Sequence, residues 1–228
     1  MSARAERVRQ NLEWVENLKP EDPSEKSLAS RNQLATAAKD GNWVEILDFL
    51  KINPELVNSS RPGGQSWFTP LHQAAYQNAP EAVVLKLIDL GAFRTLKNSA
   101  GERSVDIARR KGFGTCAALL EPSIQRSADP FELAAIQDLF HGLVRAVAHK
   151  YRVGAGVRLP ELSVLTEFDD AALWLPISGM HGGFNIWLEE EPDQLVLVAE
   201  SWCRVVDGSG MRHRITQNQA VLVEAGFV

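Results

Sequence analysis

The sequence predicts two domains of different class: an all-α stack of short helix pairs, then an α+β domain in which one long helix packs on an antiparallel sheet. Three observations predict it. Pairs of short apolar segments recur with Leu34, Leu71 and Val105 in equivalent places, 37 and 34 residues apart. After a polar stretch from Ser123 to Asp129 that recurrence stops and one long amphipathic segment begins. Beyond Leu159-Pro160 the chain turns to alternating or apolar runs separated by turn residues. The boundaries follow: an N-terminal capping helix and linker over 1–30, the helix pairs over 31–122, a linker over 123–129, and the α+β domain over 130–228.

Residues 4–18 place Val8, Leu12, Val15 and Leu18 at helical spacing among charges, which predicts an amphipathic helix covering the apolar end of the first pair. Lys19-Pro20-Glu21-Asp22-Pro23-Ser24 ends it. The first pair runs from Asn32-Gln33-Leu34-Ala35-Thr36-Ala37-Ala38 through Lys39-Asp40-Gly41 into Trp43–Leu50. The second opens on Thr69, whose hydroxyl can cap a helix, and Pro70, whose missing N–H would be unpaired at the first helical position anyway. Ala74 and Ala75 are small enough to admit a close neighbour, and Ala82–Leu90 forms the partner helix, stopped at Gly91. The third runs from Gly101–Ala108 through Gly112 to Cys116–Leu120.

The run Thr69-Pro70-Leu71-His72-Gln73-Ala74-Ala75 resembles the opening of an ankyrin repeat, and the spacing lies near the family's ~33-residue period. The resemblance covers about residues 31–122. The outer units depart from it, with Asn32-Gln33 and Arg103-Ser104 where the family prefers Thr-Pro, as terminal, stack-capping repeats often do. It implies a structural hydrogen-bonding role for His72. It also implies partner binding through the turns between repeats and the exposed end of each first helix. Carried onto this chain, those positions are Lys39, Asp40, Tyr76, Gln77, Arg110 and Lys111 on the helices, and Trp67, Phe68, Ser99, Ala100 and Glu102 in the fingers. Trp67 and Phe68 lie in a lengthened loop, and aromatic residues dominate interface hot spots; the competing expectation is that one of the two rings folds under the loop.

In the second domain Asp129-Pro130 can cap a helix over Phe131–Tyr151, with Phe131, Leu133, Ile136, Leu139, Phe140, Leu143, Val144 and Val147 on one broad face. Strands are expected at Leu162–Phe168, Ala172–Ile177, Gly183–Leu188, Leu195–Val206, Arg212–Thr216 and Ala220–Val228, joined by short turns that favour antiparallel neighbours. Segments around Gly179–Phe184, Ser201–Val206 and Gly208–His213 resemble uncharacterised bacterial proteins, some of which also carry ankyrin repeats, and the resemblance implies a bacterial source without an activity.

Composition narrows the function. No apolar run approaches the roughly 18 residues of a membrane span, and the basic residues near Met1 have no apolar stretch behind them, so a cytoplasmic location is expected. Residues 31–122 carry 11 Lys and Arg against 9 Asp and Glu, whereas 123–228 carry 8 against 14, which argues against a nucleic-acid surface. Cys116 and Cys203 have neither disulfide-framework nor zinc spacing.

The polar residues His181, Glu200, Ser201, Cys203, Arg204, Ser209, Arg212 and His213 form the densest candidate chemistry. A reactive thiolate would need an adjacent base. A four-residue loop over Asp207–Gly210, however, sets Val206 against Met211 and Arg204 against His213, placing Cys203 and His213 on opposite faces. Gly208-Ser209-Gly210 lacks the following helix of a serine elbow, and Gly182-Gly183 lacks that of a phosphate loop. His141, His149, His181 and His213 have no metal-ligand spacing. No catalytic residue, metal or cofactor is therefore assigned.

The expected function is a protein–protein interaction module that holds a partner protein through the ankyrin surface, as an adaptor or as an inhibitor or immunity protein that occludes an enzyme or toxin. No nucleic-acid or membrane partner is expected. The alternative is a small enzyme in residues 130–228 that uses the ankyrin part to recruit its substrate.

Overall fold

A computed structural model describes residues 9–17, 25–150, 158–177, 180–203 and 210–226. The chain divides into two compact units. One unites Met1–Asn17 with Ile124–Val228, and the other is Leu18–Ser123.

The second unit is helical. Its helices are α1 (Glu25–Asp40), α2 (Trp43–Ile52), α3 (Pro70–Gln77), α4 (Glu81–Asp89), α5 (Ser104–Arg110) and α6 (Gly114–Leu119). The start of α3 shows why the chain turns helical there. The Thr69 hydroxyl lies 2.8 Å from His72 Nδ1, and the Thr69 backbone N–H donates to the same nitrogen at 3.3 Å. Pro70 follows at the first helical position. At α5 a carboxylate does the same work: Asp106 accepts the Arg103 backbone N–H at 2.9 Å and also holds the Arg103 guanidinium. Leu34, Ile46, Leu50, Leu71, Ala74, Ala75, Val84, Leu87, Val105, Ile107, Ala108 and Leu120 form one continuous core. Ala74 and Ala75 have no exposed surface at all, as close helix approach requires.

The first unit is built on a six-stranded sheet, in spatial order β1 (Gln10–Glu13), β2 (Ala171–Ile177), β3 (Gly182–Glu191), β4 (Gln194–Cys203), β5 (Gly210–Ile215) and β6 (Ala220–Gly226). Successive strands from β2 to β6 pair antiparallel, and β1 lies parallel to β2. The long helix α7 (Pro130–Lys150) is capped by the Asp129 carboxylate, which accepts the Phe131 and Glu132 N–H groups. It packs on one sheet face, where Phe140 and Phe184 meet edge to face with centroids 5.9 Å apart. Two glycines open β3 where side chains would not fit: a Cβ on Gly182 would lie 1.9 Å from the Trp202 carbonyl oxygen, and one on Gly183 2.1 Å from that of Leu175.

The fold class expected from the sequence is therefore corrected. The protein is not an all-α ankyrin-repeat stack with a separate antiparallel α+β domain. Strand as well as helix builds it, and the sheet is mixed because its first strand comes from the N-terminal segment. The spacing of its apolar residues predicts a capping helix; where described it is a strand followed by a short 3-10 turn at Val15–Asn17. The apolar residues that suggested a helix serve the sheet instead. Leu12 pairs with Leu173, and Trp14, 2% exposed, donates from its indole nitrogen to the Arg158 carbonyl oxygen at 2.7 Å. A strand expected at Leu162–Phe168 is likewise a 3-10 turn, Leu162–Glu167. Phe131, expected on the buried face of α7, is 85% exposed, whereas Ile136, Phe140, Val144 and Val147 are buried. The expected helix over residues 4–8 and the ends of two expected strands, at 204–206 and 227–228, lie outside the described residues.

Among the described residues no helix is long and apolar enough to cross a membrane.

Truncating Trp14 to alanine is expected to cost about 3–5 kcal/mol, the usual range for a buried tryptophan. Hydrogen exchange should show the loss as faster exchange in β1 and β2, since Trp14 N–H donates to the Trp174 carbonyl oxygen. Unchanged protection in β2 would refute the parallel pairing. Leu71→Ala, at a position with no exposed surface, should cost about 2–5 kcal/mol, read as a lowered urea midpoint at constant slope.

Candidate partner-binding surface

Two finger loops of the helical unit are tied together by a backbone hydrogen bond, Ser99 N–H to the Ser66 carbonyl oxygen at 3.1 Å. The second finger is a tight turn with an isolated antiparallel bridge between Lys97 and Arg103. Buried Asn98 organises it, accepting from the Ala100 and Glu102 N–H groups at 2.9 Å each and donating to the Glu102 carboxylate. Ser99 and Ala100 at its tip are exposed. The first finger ends in Trp67 and Phe68, and the two rings part company. Trp67 takes a left-handed backbone conformation, φ 54°, and is 39% exposed. Phe68 is half-buried against the helical core, its ring 5.6 Å from His72 and edge-on to Tyr76 at 6.1 Å. One ring thus secures the finger while its neighbour is displayed.

Tyr76 is 45% exposed and carries the Lys111 ammonium 3.8 Å above its ring, with Phe113 5.7 Å from the same nitrogen. Beside it the Arg110 guanidinium grips Glu102 through two bonds, 2.7 and 3.2 Å long. The bonds from Arg110 and Asn98 hold the Glu102 carboxyl below its ordinary range. The resulting surface presents Trp67, Tyr76, Lys111 and a neutralised Arg110–Glu102 pair, so its character is aromatic and cationic.

Three predicted positions are used differently. Gln77 donates to the Ala38 and Lys39 carbonyl oxygens at 2.8 and 3.1 Å, tying α3 to the end of α1, and so acts within the helical unit. Exposed Lys39 contributes its carbonyl to that tie. Asp40 lines a shallow depression with Asn32, Thr36, Ala37, Asn42 and Glu45 rather than joining the finger surface. The stack of Lys111 on Tyr76 and the Arg110–Glu102 pair were not read from the sequence, because residues 35 and 8 positions apart give no spacing signal of their own. Arg109 pairs with Glu121.

The alternative chemistry disperses in the sheet unit. The observed register sets Ser201 against Met211, five residues away from the expected hairpin pairing. The odd shift brings Cys203 and His213 to the same face, but His213 pairs with Ala199, and four residues of strand put Cys203 about 13 Å along it. The Cys203 thiol donates to the Met180 carbonyl oxygen instead. Glu200 lies opposite Arg212, which bonds it at 2.6 Å, and points away from His213. Arg204 and Ser209 lie outside the described residues. His141 meets the Pro160 carbonyl oxygen, and His149 and His181 are exposed. Among the described residues no three His, Cys, Asp or Glu side chains gather as a metal site.

No protein-family model matches the chain. A 77-residue stretch, 34% of the chain, is 38% identical to a probable E3 ubiquitin-protein ligase, XBOS32, of Oryza sativa subsp. japonica. The match spans 15% of that relative's length.

Buried His213 has a pH consequence. Desolvation holds its imidazole below the ordinary value, so the unfolded chain takes up a proton at higher pH than the folded one, and stability falls as pH drops below about 6.5. His141 is shifted the same way and adds to the slope. The variant His213→Gln should flatten urea midpoints measured between pH 7 and pH 5 relative to wild type. An unchanged slope would place the titrating group elsewhere.

Proposed function

We propose that this protein is a protein–protein interaction module of the bacterial cytoplasm, which holds one partner protein on the finger surface of its helical unit. The observation that carries the reading is Trp67, exposed on a finger whose neighbouring ring, Phe68, is anchored against His72 and Tyr76. Ordering a surface aromatic before contact lowers the entropy lost on binding, which is how aromatic anchors become hot spots. Tyr76 under Lys111 extends the same surface. The ankyrin resemblance of residues 31–122 supports it, since the fingers and first-helix ends are where that family meets its partners. The concrete form we favour is an adaptor or inhibitor that occludes an enzyme, such as a toxin made by the same cell. A surface rich in aromatic and cationic groups suits an acidic face on that partner.

Capture from the native host by Trp67→Ala and Tyr76→Ala chains tests the reading. Each is expected to weaken retention of the partner by tenfold or more, about 1.4 kcal/mol, while the melting temperature moves by only a few degrees. Retention undiminished in both variants, with loss on substitution of Glu200 or His213, would transfer the function to residues 130–228 and to the enzymatic alternative.

A further inference from the structure

β6 ends the sheet, and all seven of its residues, Ala220–Gly226, are exposed. Its outer edge has no strand partner among the described residues. Val221, Leu222 and Val223 are 41%, 49% and 49% exposed. A bulge explains the run: pairing shifts between Arg212 and His213, so Leu222 sits on the face of His213 and Glu224 on the face of Arg212, with Val223 inserted between them. Apolar groups therefore project from the same edge to both sides of the sheet. Natural edge strands are guarded by charge, proline, short length or a bulge that twists the edge away; β6 has seven residues, no lysine or proline, one carboxylate that Arg212 neutralises, and a bulge that turns apolar residues outward. β1, at the other edge, is guarded: it has four residues, Gln10-Asn11-Leu12-Glu13, and follows Arg9.

Charge indicates what covers the open edge. Glu224 is its one charged residue, and Arg212 holds that carboxylate at 2.7 Å. The edge thus offers an acidic or basic partner no uncompensated charge, whereas an identical strand brings matching apolar residues. We propose that β6 pairs antiparallel with β6 of a second copy of this chain about a two-fold axis at Leu222. In that register Leu222 faces its own counterpart, Val221 faces Val223 and Ala220 faces Glu224. The two Glu224 residues then stand four positions apart, about 13 Å along the strand and beyond the roughly 8 Å over which charges act in physiological salt. One open and one guarded edge make the contact close on itself as a dimer instead of propagating as a fibre.

Analytical ultracentrifugation of the full chain tests the pairing. A species of twice the 25.2 kDa chain mass is expected, and Val221→Lys with Val223→Lys should return it to the single-chain mass with unchanged circular dichroism. Because both positions are exposed, the substitutions leave the core alone. Leu222→Cys should form an intermolecular disulfide under mild oxidation, since directly opposed residues lie about 4.5–5.5 Å apart at Cα, while Cys116 and Cys203 are buried. A single-chain mass at every concentration overturns the proposal, as does a dimer that survives the double lysine variant or fails to cross-link through position 222. A single-chain species whose lysine variant loses its partner protein would overturn it too and assign β6 to that partner. Intact capture by the monomeric lysine variant would leave the finger-surface reading standing by itself.

Discussion

Pairing of Ala199 with His213 and of Glu200 with Arg212 fixes which side of the sheet each side chain of the last three strands occupies. Because successive residues of a strand face opposite sides, one such pair sets the others along β4 and β5, and β6 follows that alternation except where its bulge inserts Val223. On the α7 side it brings Leu197, Ala199 and Ile215, none with exposed surface, under the long helix. On the other side it assembles a ladder in which Arg212 joins Glu200 to Glu224 and Arg214 joins Glu189 to Glu191. The same constraint separates the residues that could have made an active site. Glu200 is committed to Arg212, and His213 lies behind it on the opposite face.

The sheet solves its two edges differently. Parallel pairing of β1 with β2 adds a short strand held from both flanks. Arg9 binds Asp170 and lies over the Trp187 ring at 4.3 Å, and Trp14 is sealed beneath Arg158. A polar edge of four residues offers little backbone to another chain. At the far side the bulge between Arg212 and His213 turns consecutive apolar residues outward, and no charge is left over to repel a like strand. Each edge thus follows from a local feature of the strand beside it.

In the helical unit, polar contacts fix the fingers and apolar contacts fix the helices. Asn98 closes one finger, Ser99 ties it to the other, and Gln77 bridges α3 to the end of α1. A Cβ on Gly41 would stand 2.7 Å from the Gln77 amide oxygen, and φ there is +74°, so glycine makes that approach possible. With loops held by hydrogen bonds, an aromatic side chain such as Trp67 can remain displayed without collapsing onto the core, because Phe68 already fills that place.

Helix starts were legible because their causes are local. Thr69-Pro70 and Asp129-Pro130 carry their caps within a few residues, and Leu71, Ala74 and Ala75 mark a buried face by spacing alone. The partition between Trp67 and Phe68 was legible only as an alternative, since either ring satisfies the pattern. Leu12 and Val15 misled, because apolar residues at helical spacing in so short a segment also fit a strand leading into a turn, and only Leu173 and Trp174, some 160 residues away, decide between them. The register of β4 on β5 depended on a loop whose length the turn residues left open, and an odd error there reverses every face. What the sequence by itself determined was where the chain caps, bends and buries. Tertiary structure alone decided the mixed sheet, the stack of Lys111 on Tyr76 and the open edge at β6, because each depends on a partner that sequence distance conceals.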